Sequence, residues 1–358
     1  MTEAKLNSQQ HSDIWAKSHN YLRTAMVVLL VGLGAAVFWQ IWRQNFDILG
    51  SVSAYYYTAA QAIFVGALIG LGACMIALKG TRPAEDVLLN LGGVFAALVA
   101  IVPTPRGKDH ETAVAACKQA GSPLLTEKAS TDLKCPTVQV LEEATRANVE
   151  NNLFALLIVG ALALLATVLF ALSRRKSGKS VDRNESKFWS VMGFVAALAV
   201  WLAGLVAFVW YIDWIIDYGH YLTALGLLLC IFFVAVVNAR RYREEQGDAT
   251  SDGQTPGRGT EEQERSQEIL TAQGDPGQNP DQQSQAGRTA SQLARYRYTL
   301  IAWVMLIVTP VGIALVFVNA FALFWLEIVV AALFAAFWMV QTIEQLPARS
   351  AKAGDWPA

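Results

Sequence analysis

Long uncharged runs of apolar residues alternate with short polar segments along most of this chain. A helix that crosses a hydrocarbon core of ~30 Å needs ~20 apolar residues, because each residue advances the helix by ~1.5 Å. The runs therefore predict six transmembrane helices before composition is considered. They lie over 21–42, 57–78, 87–104, 152–173, 188–212 and 218–239.

A further apolar stretch, from Tyr298 to Ile343, is too long for one span. Its 46 residues contain a single charge, Glu327, and would form a helix of about 69 Å. We therefore predict a reversal near Asn319 and two spans, over 298–318 and 322–343. The sequence predicts an all-α fold, a polytopic bundle of eight transmembrane helices.

The distribution of Lys and Arg predicts the orientation, because short loops rich in these residues stay in the cytoplasm. With a cytoplasmic N-terminus, the cytoplasmic segments hold 21 of the 28 basic residues, and eight spans place both termini inside. The first span is too long for a signal peptide and lacks an obvious cleavage site, so we expect it in the mature protein. The predicted segments are a cytoplasmic tail (1–20), three spans (21–104), an extracytoplasmic cap (105–151), three spans (152–239), a cytoplasmic loop (240–297), two spans (298–343) and a cytoplasmic tail (344–358).

Composition excludes several other classes of protein. Hydrophobic residues make up 54% of the chain and charged residues 16%, against roughly 45–50% and roughly 25% in soluble domains. A net charge of -1 argues against a nucleic-acid partner, and the four cysteines show no paired spacing typical of zinc or iron–sulfur sites. No nucleophile elbow, phosphate-binding loop or HExxH motif occurs. We predict no cofactor and no bound metal.

The two largest polar segments carry different expectations. Residues 244–294 contain no aromatic side chain and only three large aliphatic ones, which predicts a disordered cytoplasmic loop. That loop is either a solvated linker or, at Gln263–Ala272, a segment that binds a protein partner. The cap instead contains Cys117 and Cys135 on the predicted oxidising side. A disulfide there would stabilise the cap by ~3 kcal/mol in the chain-entropy model.

Small residues in the first three spans predict close helix packing, since glycine lets two backbones approach within a membrane. The glycines concerned are Gly32, Gly34, Gly66, Gly70, Gly72, Gly92 and Gly93.

Polar residues near the outer ends of the spans form the candidate binding site. Asp213, Asp217 and His220 are spaced four and three apart and would share one face of a continuous helix. Glu327 enters at similar depth from the last span, and we expect it to meet His220, because an isolated buried carboxylate is costly. The predicted ligand-binding residues are Ser53, Tyr56, Asp213, Asp217, His220 and Glu327. The alternative is an ordinary wet turn within an aromatic belt at the headgroup boundary.

Four spans also resemble a family of uncharacterised bacterial integral membrane proteins. The similar segments are SVSAYYYTAAQAIFVGALIGLG (51–72), LNLGGVFAALVAIVPT (89–104), HYLTALGLLLCIFFVAVVNA (220–239) and LEIVVAALFAAFWMVQTIE (326–344). The resemblance implies a bacterial plasma-membrane protein. That family is distantly similar to hydrolases of the alkaline ceramidase type, and only Ser53, Asp217 and His220 match such a catalytic set.

Two functions follow as hypotheses. The first is a non-catalytic protein that binds or senses a lipid or small polar ligand at the outer polar residues, or supports a membrane partner. The alternative is a membrane-embedded, metal-dependent lipid amide or ester hydrolase. An ion-coupled transporter is disfavoured, because no charged residue lies near the middle of a span.

Overall fold

The computed structural model describes residues 3–80, 82–105, 114, 137–176, 184–251, 280–319 and 321–345. All regular structure in these ranges is helical, which confirms the predicted all-α class. The helices are α1 (Glu3–Arg43), α2 (Gln61–Ala77), α3 (Pro83–Ile101), α4 (Val138–Lys176), α5 (Asn184–Trp210), α6 (Ile212–Trp214), α7 (His220–Ser251), α8 (Pro280–Val318) and α9 (Phe321–Gln345). A 3₁₀ helix (Ser53–Tyr57) precedes α2, and a π-helical turn (Ile215–Gly219) joins α6 to α7.

Several of these helices have the length and composition of membrane spans. Within the described ranges, six segments are long and apolar enough to cross a bilayer, and two shorter apolar helices accompany them. This is the pattern of a multi-pass membrane protein. The six segments are Lys17–Arg43, Pro83–Ile101, Val138–Ser173, Lys187–Trp210, Ile212–Arg240 and Ala322–Thr342, and the two shorter helices are Gln61–Ala77 and Thr299–Leu315.

The helices extend further into the polar segments than the sequence predicts. The expected N-terminal tail is part of α1 from Glu3 onwards, and the last part of the expected cap belongs to α4 from Val138. Neither stretch contains an internal Gly or Pro, and extending an existing helix costs far less than nucleating one. An i,i+4 ion pair between Arg146 and Glu150, at 2.8 Å, adds local support.

The expected cytoplasmic loop is shortened in the same way at both ends. α7 continues to Ser251 and α8 begins at Pro280. The segment Gln263–Ala272 lies outside the described residues, and so do Cys117 and Cys135. The partner-binding segment and the disulfide stay predictions.

Six helices form a closed circuit of contacts, which we call the ring. In order around it, α1 packs on α2, α2 on α3, α3 on α7, α7 on α8, α8 on α9, and α9 again on α1. α4 and α5 pack on each other and on α3, outside the ring. In the most apolar segment of α5, 0% of the residues are buried, which suits a helix that faces lipid.

The closest approach of two helices in the ring involves glycines on α2 and α3. A Cβ atom added at Gly72 would lie 2.5 Å from the backbone oxygen of Gly93, and the converse distance is also 2.5 Å. Close packing is therefore confirmed for this pair. The prediction of close packing is wrong for Gly32, Gly34 and Gly66, where an added Cβ would meet nothing within 4 Å.

Candidate functional site

The segment between α1 and α2 builds one wall of the candidate site. Its 3₁₀ helix is buried at the end of the ring where α1 ends, and Tyr55 within it is 0% exposed. The hydroxyl of Tyr55 accepts a hydrogen bond from the backbone N–H of Leu49 at 3.3 Å. Burial raises the pKa of the Tyr55 phenol, so its hydroxyl stays neutral at physiological pH.

Glu327 on α9 caps the start of this 3₁₀ helix. Its Oε2 accepts a hydrogen bond from the backbone N–H of Val52 at 2.5 Å, and its Oε1 accepts one from the Ser53 hydroxyl at 3.0 Å. The first N–H groups of a helix have no partner within it and favour a negative charge. The carboxylate therefore ties α9 to a segment 275 residues away in sequence.

Hydroxyl groups continue the site away from Glu327. Ser53 Oγ lies 3.0 Å from Ser51 Oγ and 3.2 Å from Thr104 Oγ1. Ser51 also accepts a hydrogen bond from the backbone N–H of Ala54 at 3.0 Å, and all three hydroxyl side chains are buried. We call Ser51, Ser53, Thr104, His220 and Glu327 the Glu327 cluster.

His220 completes the cluster from the first position of α7. Its Nδ1 lies 2.7 Å from the backbone oxygen of Val102, and a carbonyl only accepts, so Nδ1 carries a hydrogen. Its Nε2 lies 3.9 Å from Glu327 Oε1. His220 is 3% exposed and the Glu327 side chain 22% exposed, so Glu327 is the more accessible of the two. The expected meeting of these side chains is observed.

The gap between Nε2 of His220 and Oε1 of Glu327 is suited to a hydrogen-bond donor. In the neutral imidazole, the nitrogen that lacks a hydrogen is Nε2, because Nδ1 donates to Val102. A lone pair on Nε2 then faces a carboxylate oxygen at 3.9 Å, which is too long for a direct hydrogen bond. A proton on Nε2, or a donor group placed between the two atoms, makes this arrangement favourable.

The predicted common face of Asp213, Asp217 and His220 is wrong. Asp213 forms an ion pair with Arg146 of α4, and its side chain is 77% exposed. Asp213 and Asp217 line an open cavity of about 440 Å³, whereas His220 turns to Val102 and Glu327. The π-helical turn at Ile215–Gly219 is the physical reason, because it changes the rotation per residue between the aspartates and the histidine.

Tyr56 lies in the same 3₁₀ helix as Ser53 and packs through its aromatic ring. It is 4% exposed and packs edge-on against Tyr57, at 5.3 Å between centroids, and against Phe64, at 6.3 Å.

Thr104 is the member of the Glu327 cluster that sequence reasoning missed. It is the last residue of the third predicted span, between Pro103 and Pro105, and its backbone oxygen accepts a hydrogen bond from the Tyr57 hydroxyl at 3.1 Å.

The described residues contain no group of three or more His, Cys, Asp or Glu side chains that could hold a metal ion. The hydrolase hypothesis stays a prediction. Comparison of the chain with protein-family models, with curated proteins and with solved structures finds no match. The resemblance to a bacterial membrane family stays a prediction.

Proposed function

We propose that this chain is an eight-span protein of the bacterial plasma membrane with both termini in the cytoplasm. The two shorter apolar helices support the count, because α2 and α8 each pack between two other helices of the ring. The asymmetry of 21 to 7 basic residues supports the orientation. In this orientation the Glu327 cluster lies at the outer leaflet.

We further propose a non-catalytic binding function for the Glu327 cluster. Its ligand is a small molecule or lipid headgroup that carries N–H or O–H donors and positive charge. The carboxylate of Glu327 only accepts, and Nε2 of neutral His220 also accepts. A primary ammonium group, as in a phosphatidylethanolamine headgroup, supplies donors for both atoms and a charge opposite to that of Glu327.

One observation carries this proposal: Nε2 of His220 and Oε1 of Glu327 face each other at 3.9 Å without a direct hydrogen bond. Each side chain is held by other bonds, His220 by the Val102 oxygen and Glu327 by Val52 and Ser53. The two acceptors are thus fixed in position before any ligand arrives. Such preorganisation lowers the entropic cost of binding.

The experiment compares two lipids of the same net charge. The full chain is purified in detergent, exposed to phosphatidylethanolamine or to phosphatidylcholine, and analysed by native mass spectrometry. The first headgroup has N–H donors and the second, a quaternary ammonium, has none. We expect selective retention of phosphatidylethanolamine. Glu327→Gln should lower that selectivity roughly 10- to 100-fold, because a hydrogen bond to a charged group contributes about 1.5–3 kcal/mol.

Glu150→Gln is the matched control. It removes a carboxylate that is 42% exposed and paired with Arg146, away from the cluster. Lipid selectivity should be unchanged in this variant. Equal retention of both lipids by the unmodified protein, or an equal loss of selectivity in both variants, contradicts the proposed function.

A further inference from the structure

The nitrogen of His220 that faces Glu327 changes from an acceptor to a donor when the imidazole takes up a proton. An imidazolium carries a hydrogen on both ring nitrogens. Nδ1 of His220 already donates to the Val102 oxygen at 2.7 Å, so the second hydrogen goes to Nε2. Protonation therefore places a positively charged donor opposite the Glu327 carboxylate.

In the neutral state, the gap between the two side chains suits one ammonium nitrogen. Nε2 of His220 and Oε1 of Glu327 are 3.9 Å apart. A charge-assisted hydrogen bond is ~2.8 Å long, so one nitrogen can lie at that distance from both atoms, with roughly 90° between its two bonds. Two N–H bonds of an ammonium group diverge by a similar angle. The neutral pair therefore accepts two hydrogen bonds from a single ligand atom.

In the protonated state, His220 itself takes the place of the ligand. Its Nε2 then lies within ion-pair distance of the Glu327 carboxylate, at 3.9 Å. An ammonium ligand would lose one of its two acceptors and would meet a like charge. Because His220 is 3% exposed, water screens that repulsion poorly.

The other elements that pack on the start of α7 present no further charge to His220 among the described residues. The charges of α3 lie in its first turn, at the far end from Val102, and the apolar half of α8 has none. On α7 itself, the Tyr221 ring packs edge-on against the imidazole, at 5.9 Å between centroids, and a phenol titrates only at ~10. Asp217, in the π-helical turn, lines the open cavity instead. Glu327 is thus the charged partner of His220.

We propose that proton uptake by His220 and ligand binding at the Glu327 cluster exclude each other, so that the cluster releases its ammonium ligand as the pH falls. This inference rests on the proposed function and adds its regulation. Since linkage between two binding events is reciprocal, the ligand also displaces the proton. One pH unit below the titration point of the imidazole, about one molecule in ten stays neutral, and the apparent affinity falls roughly 10-fold.

Lipid retention at two pH values tests the proposal. The full chain in detergent is equilibrated with phosphatidylethanolamine or phosphatidylcholine at about pH 8 and at about pH 5.5, on either side of ~6.5, where an imidazole usually titrates. Native mass spectrometry should show selectivity for phosphatidylethanolamine at the higher pH and a roughly 10-fold smaller selectivity at the lower pH. Equal selectivity at both pH values overturns this inference and leaves the proposed function standing. No selectivity at either pH overturns both.

His220→Asn separates the histidine from the carboxylates as the source of the pH effect. The Asn amide keeps a donor for the Val102 oxygen, but it has no nitrogen at the position of Nε2 and does not titrate. Selectivity should be lower than in the unmodified protein and equal at the two pH values. The full pH dependence in this variant would assign the effect to a carboxylate and contradict the proposal. His19→Asn is the matched control, because His19 interacts electrostatically with Lys79 and Asp86, and it should keep the original pH dependence.

The protonation state of His220 is a second readout, which does not depend on the amount of lipid retained. The chain contains four histidines, so ¹⁵N-histidine labelling gives few signals, and those of His220 are missing from His220→Asn. If that variant fails to fold, the combined variant His11→Asn, His19→Asn and His110→Asn leaves His220 as the only histidine and identifies its signals. At the lower pH we expect an imidazolium in phosphatidylcholine and a neutral ring, without hydrogen on Nε2, in phosphatidylethanolamine. Equal protonation of His220 in the two lipids at every pH contradicts the proposal.

Discussion

Ser53 has a larger role than its size suggests, because its hydroxyl connects the carboxylate of Glu327 with the hydroxyls of Ser51 and Thr104. Ser53→Ala removes a hydroxyl that is 2% exposed and leaves Oε1 of Glu327, whose side chain is 22% exposed, without this donor. We expect the free energy of unfolding to fall by about 1–3 kcal/mol, because the lost hydrogen bond is made to a charged group. Unfolding of the purified protein in detergent measures this change.

Thr167→Ala is the control for that substitution. The Thr167 hydroxyl donates to the Ala163 oxygen at 2.9 Å, within its own helix and on an exposed face. We expect its removal to change the free energy of unfolding by less than about 0.5 kcal/mol. Equal effects of the two substitutions would mean that the Glu327 cluster contributes no specific stability.

Sequence alone predicts part of this site, and the reason differs from residue to residue. Glu327 is predictable because it is the only charge in a 46-residue apolar stretch, and its depth matches that of His220. The separation of Asp217 from His220 is not predictable, because no residue pattern identifies the π-helical turn at Ile215–Gly219. Thr104 is missed because an isolated threonine at the end of a span carries no periodic signal.

At the scale of the helices, the close contact between α2 and α3 can be tested by enlarging a glycine. Gly72→Ala forces a Cβ to within 2.5 Å of a backbone oxygen, which a side-chain rotation cannot relieve. We expect a loss of about 1–3 kcal/mol in the free energy of unfolding, as for other overpacked positions. Gly66→Ala, on the same helix with nothing within 4 Å, is the control. Its effect should be neutral or slightly stabilising, since alanine favours helix more than glycine does.

Helix positions are predicted well from the sequence, but helix ends are predicted poorly. The apolar runs locate every long helix, because a span must bury its backbone polar groups in hydrogen bonds of its own. The polar extensions of α1, α4, α7 and α8 carry no such constraint. Their helical state depends on propensity and on elongation from an existing helix, and neither is visible as an apolar pattern.

At the scale of the whole molecule, two polar sets lie at opposite ends of the ring, with apolar residues between them. One is the Glu327 cluster and the other is the buried, hydrogen-bonded pair Glu85 and Asn238. Large side chains from several helices fill the intervening interior, among them Met75, Met305, Phe337 and Trp338. The Glu327 cluster is suited to donors and cations, whereas Glu85 at the other end accepts a hydrogen bond from the Asn238 amide. Among the described residues, apolar packing thus separates the two polar sets.

The number of spans decides on which side of the membrane α3, α4, α5 and α7 begin and end, and the accessibility of single cysteines tests it. In a background that lacks all four native cysteines (Cys74→Ala, Cys117→Ser, Cys135→Ser and Cys230→Ala), we introduce Ser122→Cys in the cap or Ser284→Cys before the seventh predicted span. Eight spans place position 122 outside and position 284 inside. An impermeant maleimide should therefore label Ser122→Cys in intact cells and Ser284→Cys only after lysis.

The six-span alternative gives the opposite pattern. If α2 and α8 did not cross, each would remove one reversal of the chain, so with the same cytoplasmic N-terminus position 122 would move inside and position 284 outside. We expect both helices to cross. The 17 residues of α2 span about 26 Å as a helix, a mismatch that a bilayer accommodates by thinning slightly. Labelling of Ser284→Cys in intact cells, together with protection of Ser122→Cys, would contradict eight spans. Six spans would place Ser53 and Glu327 outside but Thr104 and His220 inside, so the Glu327 cluster could not form as described.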